Sequence, residues 1–86
     1  MTNFEVYQKM QIYMKKIAYG TSGNALNRQE YIGWAPPGTA TSAAGWLIQK
    51  LVYNSSGMVT DIQWAASEND KFNKVWDNRA TAYTYG

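Results

Sequence analysis

The residues that could do acid–base or metal chemistry in this chain are carboxylates, because the sequence has no Cys and no His. A thiol nucleophile, an imidazole base and the nitrogen or sulfur ligands of zinc are therefore absent. Glu68 and Asp70 could in principle form an acid and base pair, but no sequence pattern places them in an apolar cleft. With Asn69, Asn73 and Asp77 they suggest a calcium loop, yet the EF-hand order with its central Gly and final Glu is missing. We predict no enzyme, no metal site and no cofactor.

Aromatic side chains are the second group that could bind a ligand, and they make up 15% of the chain. Such residues favour strands, and some of them are expected near the surface. Trp46 is expected off the core face, while Tyr31 and Trp34 lie close to the Pro36-Pro37 loop. These three candidate ligand-binding residues could stack on a sugar ring, although aromatic residues in a small β domain more often fill the core or a subunit interface.

The charge balance gives little support to a nucleic-acid partner. Eight Lys and Arg against six Asp and Glu leave a net charge of +2. Lys9, Lys15, Lys16 and Arg28 could flank aromatic platforms for a single strand, but acidic residues lie near them and no RNP-like motif is present. The sequence also lacks an apolar run near the roughly 20 residues that span a bilayer, and it lacks the apolar segment of a signal peptide. We therefore expect a solvated surface, no membrane partner and synthesis in a cytoplasm.

The element that organises the chain is a hairpin over residues 46–64. Two runs rich in aliphatic, β-branched and aromatic residues flank Asn54-Ser55-Ser56-Gly57, and this glycine can take the positive φ that such a turn needs. Placing Tyr53 opposite Met58 puts Lys50 opposite Asp61, a pair that suits a solvent face.

The other face of this hairpin is predicted to be the core, because side chains alternate between the two faces of a strand. Leu51, Ile62 and Trp64 should then be buried together, with Trp76 packed near them. The predicted core face contains Leu47, Gln49, Leu51, Tyr53, Met58, Thr60, Ile62 and Trp64.

The same hairpin occurs earlier in the chain. Residues 16–24 match residues 50–58 at a constant offset of 34, and the returning arm of the first copy is four residues longer. An insertion of even length keeps the parity of a strand, so Ile32 and Trp34 are predicted on the face that Ile62 and Trp64 occupy in the second copy.

The predicted fold is all-β: a small antiparallel sheet or sandwich built from two related hairpins plus an N-terminal strand and a C-terminal strand. The chain is expected to form one domain over residues 1–86. In chain order it has hairpin one at about 9–35, a loop at 36–44, hairpin two at 46–64, a loop with a short turn at 65–78 and a closing strand at 79–85.

The N-terminal stretch carries apolar side chains on alternate positions between Phe4 and Tyr19, a period of two that indicates a strand. A helix is the alternative, because Met, Gln and Lys are good helix formers. Both faces of the first hairpin are apolar, whereas an antiparallel pair normally has one wet face. An uncovered stripe would be both an exposed apolar patch and an unpaired strand edge, which soluble monomers avoid. We therefore predict a homo-oligomer. The candidate interface residues are Phe4, Val6, Met10, Ile12 and Met14.

A longer pattern of residues is specific enough to suggest a family. It contains Pro37-Gly38-Thr39-Ala40-Thr41-Ser42-Ala43-Ala44, then Trp46, Ile48, Lys50, Tyr53, Gly57, Val59, Thr60, Ile62, Trp64 and Ala65, and finally Phe72, Val75, Trp76, Asp77, Asn78, Arg79, Ala80 and Tyr83. Over about residues 15–85 the chain resembles small, uncharacterised proteins encoded by tailed bacteriophages, marine ones especially. The resemblance implies a virus-encoded, virion-associated protein, and it brings no catalytic residues with it.

Three functions are consistent with these expectations. The first is a non-enzymatic structural or virion-associated phage protein that acts through self-assembly, with other virion proteins as further partners. The second is a carbohydrate- or host-receptor-binding module of a tail appendage, and the third is single-stranded nucleic-acid binding. The first function would place the protein in the virion, or in the host cytoplasm before assembly.

Overall fold

The computed structural model describes residues 13–86, and these residues form an all-β fold, as predicted. Four strands make an antiparallel sheet in the order β1-β2-β3-β4, and a short fifth strand pairs with the start of β3. The part of the predicted N-terminal strand before Tyr13 lies outside the described residues. The strands are β1 (Met14–Tyr19), β2 (Gln29–Ala35), β3 (Ala44–Tyr53), β4 (Val59–Trp64) and β5 (Lys74–Val75), with 3-10 turns at Gly23–Ala25 and Trp76–Asn78.

The two hairpins and their turns agree with the predicted repeat. The connection spans residues 20–28 in the first hairpin and 54–58 in the second, so the first is longer by the four residues that the sequence comparison indicated. Gly23 and Gly57 have φ of 66° and 83°, the left-handed region that glycine enters without steric cost. The register also places Trp34 and Trp64 on the same face of the sheet, as the even insertion predicted.

The predicted register of the second hairpin is wrong by two residues. Tyr53 pairs with Val59 rather than Met58, and a bulge lies between Val52 and Tyr53. The Asn54 side chain accepts hydrogen bonds from the amides of Ser56 and Met58, at 2.9 and 3.0 Å, and so widens the turn. Because of this shift Lys50 lies opposite Gln63, and Asp61 lies opposite Val52.

The core lies on the face of the sheet opposite to the one predicted. Ile62 is 57% exposed, Leu51 and Trp64 are half-buried, and Trp76 is buried against Trp46 instead. The choice follows from the C-terminal segment, whose Trp76 returns to the side of the sheet where small residues leave room for its ring. The core cluster consists of Tyr31, Ala35, Trp46, Ile48, Ala65 and Trp76, with Met14, Ala18, Tyr83 and Tyr85 packed against it.

The predicted closing strand over residues 79–85 is also absent from the structure. Residues 79–82 form turns, and pairing is confined to the end of the segment, where Tyr85 bridges Ala65 and three backbone hydrogen bonds join residues 84–86 to residues 64–66. The alternating tyrosines instead serve the core: the Tyr83 hydroxyl accepts a hydrogen bond from the Val75 amide at 2.7 Å, and the Tyr85 hydroxyl donates one to the Arg79 carbonyl at 2.7 Å. The loop expected at 65–78 contains β5 as well as the predicted short turn.

One charged side chain is buried with this core. Lys74 in β5 is 4% exposed, and its ammonium donates a hydrogen bond to the Glu68 carboxylate at 2.6 Å and another to the Asn73 side chain. The Glu68 side chain is 31% exposed, so only the lysine is buried, and removing the carboxylate would leave the Lys74 ammonium without its opposite charge. The hydrogen bond from Lys74 also lowers the pKa of the Glu68 carboxyl.

This pair predicts a loss of stability in acid. A carboxyl whose pKa is lower in the folded chain than in the unfolded chain stabilises the fold above the unfolded pKa, and the contribution disappears as pH falls through the folded pKa. We therefore expect the melting temperature of the protein to fall as pH drops below about 4.5, the ordinary value for this group. Glu68→Gln should melt at a lower temperature at pH 7 and show a flatter decline in acid.

Thermal melts of Glu68→Gln between neutral pH and pH 3 would test this expectation, with Asp70→Asn as the control. Asp70 is an exposed carboxylate in the same loop. A pH profile of Glu68→Gln that runs parallel to the wild-type profile would show that the pair does not stabilise the fold.

Candidate interaction surface

The face of the sheet opposite the core is the candidate functional surface, and we call it the open face. Its side chains belong to alternate residues of four neighbouring strands, and the register aligns them in rows across the sheet. One row runs from Ile17 through Ile32 and Gln49 to Trp64. The open face consists of Lys15, Ile17, Glu30, Ile32, Trp34, Leu47, Gln49, Leu51, Thr60, Ile62 and Trp64.

Exposure on the open face increases towards β4. Ile32 and Leu47, on the two central strands, are 7% and 8% exposed. Ile17, Trp34, Leu51 and Trp64 are half-buried, and Ile62 is 57% exposed. Beyond it, Val59 and Met58 at the end of the same hairpin are 47% and 61% exposed. A large side chain with one side in water gains free energy when a second surface covers it.

Two tryptophans form a ridge across the open face. Trp34 belongs to β2 and Trp64 to β4, which are separated by β3 and so lie about 10 Å apart. Their ring centroids are only 6.0 Å apart with an angle of 30° between the planes, so the rings lean towards each other over β3. Leu47 is the partner of Trp34 in the ladder and lies beneath this ridge. Half-buried tryptophans beside aliphatic residues are typical of the energetic centre of a protein interface.

The structure does not assemble the predicted ligand-binding trio. Trp46 is 1% exposed, and its indole N–H donates a hydrogen bond to the Ala40 carbonyl at 3.0 Å, so the expectation that it lies off the core is wrong. Tyr31 is 8% exposed and belongs to the same core cluster. Trp34 alone is accessible, and it lies on the opposite face of the sheet from the other two. Burial of Trp46 and Tyr31 leaves neither of these two rings with a face that a sugar could stack on.

Tyr31 instead takes part in a packed aromatic and cationic group at the edge of the core. The Lys50 ammonium lies 5.7 Å from the ring centroids of both Tyr31 and Tyr85, within the range of cation–π attraction. Burial raises the pKa of the Tyr31 and Tyr85 hydroxyls above their ordinary value. Both phenols therefore stay neutral in alkaline solution where an exposed tyrosine begins to ionise, and the group holds the C-terminal segment on the sheet.

The basic residues considered for nucleic-acid binding do not form one stripe. Lys9 lies outside the described residues. Lys15 and Lys16 are neighbours in β1, so their side chains project from opposite faces of the sheet. Arg28 lies over the ring of Tyr53 at 5.9 Å and donates a hydrogen bond to the Asn24 carbonyl. A backbone of phosphates would meet these charges on different sides of the molecule.

The remaining polar features have structural partners or are too small for a ligand. Glu68, one member of the possible acid and base pair, is bound to Lys74, which lowers the pKa of its carboxyl and so makes it a poorer proton donor. Among residues 13–86, no three acidic side chains gather closely enough to hold a metal ion. A depression of about 180 Å³ beside the first turn falls below the roughly 300 Å³ at which ligand pockets begin. No helix in the described part of the chain is long and apolar enough to cross a membrane.

The predicted oligomer interface can be checked only at one residue. Phe4, Val6, Met10 and Ile12 lie outside the described residues. Met14 starts β1 and packs half-buried against the core cluster, so its own domain already covers much of it. The open face itself was predicted from the sequence to be core and not an interface. Its signal was the apolar character of both faces of the first hairpin, which required a second cover on one of them.

Neither a family model, nor a curated protein, nor a solved structure matches this chain. A function therefore has to be inferred from the geometry of its own residues. The open face is the feature of residues 13–86 that most clearly calls for a partner, because it combines a tryptophan ridge with exposed aliphatic residues.

Proposed function

We propose that this protein is a non-enzymatic structural subunit of a bacteriophage particle and that it acts by self-association through its open face. The observation that carries the proposal is a second apolar face on a sheet whose other face already holds the core. Soluble monomers rarely expose an apolar patch larger than a few hundred Å², and larger patches mark interaction sites. The phage setting rests on the resemblance of residues 15–85 to phage proteins.

Geometry favours a protein partner over a small ligand on this surface. The open face is broad, with four strands at about 4.8 Å spacing and roughly six residues of each, or on the order of 400 Å² of sheet. Its charged residues within the described strands are Lys15 at the β1 edge and Glu30, which has the parity of Ile32 and Trp34 near the start of β2. A neighbouring copy is the first partner proposed, and other virion proteins come second. The protein would then occur in the virion, or in the host cytoplasm before assembly.

The proposal predicts that Ile62→Lys disrupts self-association without unfolding the protein. Ile62 is 57% exposed, so the substitution should change the stability of the isolated domain by about 0.5 kcal/mol or less. In an interface the new ammonium would be buried without a partner, which is strongly unfavourable. We expect the dissociation constant of the oligomer to rise at least about tenfold, corresponding to about 1.4 kcal/mol. Light scattering over a concentration series measures this change.

Ser55→Lys is the matched control, because it adds the same charge to the exposed turn of the same hairpin and lies off the open face. It should leave the dissociation constant within about twofold of wild type. A wild-type protein that stays monomeric at millimolar concentration would contradict the proposed function.

Carbohydrate binding remains the second candidate because Trp34 is partly accessible on the open face. Its prediction differs from that of self-association. A monomeric wild-type protein that binds members of a glycan array, with binding abolished by Trp34→Ala, would favour a receptor-binding module. Hits that persist in Trp34→Ala would exclude the open face as the glycan site.

A further inference from the structure

The point where the N-terminal segment (residues 1–12) joins the sheet limits what that segment can contact. β1 begins at Met14, opposite Ala35, which is the last residue of β2. Pro36 and Pro37 follow, and proline has no backbone N–H to donate to a ladder. The Thr39 amide bonds back to the Pro36 carbonyl at 3.1 Å, so the chain turns away there. β2 therefore offers no continuing ladder to the residues that precede β1.

The sequence also lacks the residues needed to reverse the chain next to β1. From Phe4 to Tyr19 it contains no Gly, Pro, Asn or Asp, the residues that favour tight turns. Tyr13, directly before β1, is held by stacking on Phe72, with 4.9 Å between the ring centroids and 13° between the planes. The sequence before β1 therefore contains no tight-turn signal that would reverse the chain onto the open face of its own sheet.

The N-terminal segment has the pattern and the length to cover the open face of another copy. Phe4, Val6, Met10 and Ile12 share one parity, which would align them on one side of an extended segment. Twelve extended residues span about 40 Å, whereas a sheet of four strands is about 20 Å wide. The segment is therefore long enough to cross a neighbour's sheet.

Direct packing of two open faces explains the surface less well. An isologous contact would bring two copies of Lys15, of Glu30 and of Gln49 into one apolar layer. A segment that crosses the face can leave Lys15 in water at the β1 edge.

We propose that the N-terminal segment of one copy packs on the open face of a neighbouring copy, so that the subunits assemble by exchanging these segments. This inference rests on the proposed function, since it names the part of the partner that fills the open face. In this arrangement the apolar side chains that cover the exposed part of the face around Leu51 and Ile62 would be those of Phe4, Val6, Met10 and Ile12.

The first test compares two charge variants in the full chain. Met10→Lys with Ile12→Lys places charges on the apolar parity and should raise the dissociation constant of the oligomer at least about tenfold. Asn3→Lys with Gln11→Lys adds the same charge to the same segment on the other parity and should leave it within about threefold of wild type. The melting temperature of the dissociated subunit should be the same for both.

The second test uses cysteine cross-linking, which the absence of natural Cys makes specific. A tagged copy with Met10→Cys is mixed with an untagged copy with Ile62→Cys and oxidised, and a disulfide between tagged and untagged chains is expected. Lys16→Cys, an exposed residue of β1 that projects to the other side of the sheet, replaces Ile62→Cys in the control and should give a much lower yield.

Each outcome separates this inference from the proposed function. If Ile62→Lys dissociates the oligomer but Met10→Lys with Ile12→Lys does not, and no mixed disulfide forms, the open face is an interface that the N-terminal segment does not enter. A disulfide within single chains of the Met10→Cys and Ile62→Cys double variant would show that the segment covers its own sheet and would overturn the exchange. A wild-type protein that stays monomeric would contradict both the proposed function and the exchange of segments.

Discussion

Replacing Trp46 by Ala is expected to lower the free energy of unfolding by about 3–5 kcal/mol. Trp46 is 1% exposed, its ring centroid lies 5.6 Å from that of Trp76, and its indole N–H bonds to the Ala40 carbonyl. Alanine would leave a large cavity between the sheet and the C-terminal segment and an unpaired carbonyl in the loop. Because a small domain has only about 5–15 kcal/mol of stability, the variant should be partly unfolded at room temperature. Urea denaturation followed by circular dichroism measures the loss.

Trp64→Ala is the matched control for Trp46→Ala. It removes the same side chain from the open face, where Trp64 is half-buried, and it should lower the free energy of unfolding by no more than about 1–2 kcal/mol. Both variants must be compared at one low protein concentration, because self-association adds stability by mass action. Equal losses for the two variants would contradict the assignment of the core to the Trp46 side of the sheet.

Local sequence signals were sufficient to predict the hairpins. Turn formers with a glycine needing positive φ, a repeat at a constant offset and an insertion of even length determine local geometry, and each is encoded within a few residues. The alternation of side chains then correctly grouped Trp34 with Trp64. The register of the second hairpin required more, because the Asn54 side chain binds two amides and widens the turn.

Which face becomes the core could not be obtained from alternation alone, because both faces are apolar. The prediction favoured the face with more large aliphatic residues, whereas the structure uses the face with Gly33, Ala35 and Ala65. Small residues on one parity leave space for large rings from elsewhere in the chain, and here Trp76 occupies that space. The small residues on this parity were therefore the sequence feature that could have identified the core face.

Lys50 lies on the same face as these small residues, and its charge favoured the opposite assignment of the core. A lysine in mid-strand suggests a solvent face, but its ammonium sits over the rings of Tyr31 and Tyr85 at the core margin, and long lysine stems readily pack on apolar surface. The C-terminal tyrosines were predicted to lie in a strand because they alternate with small residues. They point to the core from a chain of turns, whose hydrogen bonds include those of the Thr81 and Ala82 amides to the Asn78 carbonyl.

The mistaken core face and the proposed function have one origin. A row of Leu, Ile and Trp side chains satisfies the sequence criteria for a core because it requires cover, and those criteria do not say which chain supplies the cover. In residues 13–86 the single C-terminal segment covers only the Trp46 side. Self-association is therefore the simplest route by which the open face can be buried to a similar extent.

The last prediction concerns Gly33, where one methyl group should destabilise the fold by about 2 kcal/mol or more. Gly33 is buried in β2, and a Cβ built there would lie 2.6 Å from two ring atoms of Trp76 and 3.0 Å from the ring of Trp46. Alanine normally stabilises a strand relative to glycine by restricting the unfolded chain, by about 0.4–1 kcal/mol, so any loss must come from this clash. Equilibrium unfolding of Gly33→Ala measures it.

Gly45→Ala is the control in the neighbouring strand β3, where the added Cβ would meet only the Thr39 methyl group at 3.1 Å. It should change the free energy of unfolding by about 0.5 kcal/mol or less. Trp76→Leu combined with Gly33→Ala should lose less stability than the sum of the two single losses, because the smaller side chain makes room for the methyl group. If the two losses add, or if Gly33→Ala is as stable as wild type, then Trp76 does not pack directly on Gly33, and the small residues of this face do not determine where the core forms.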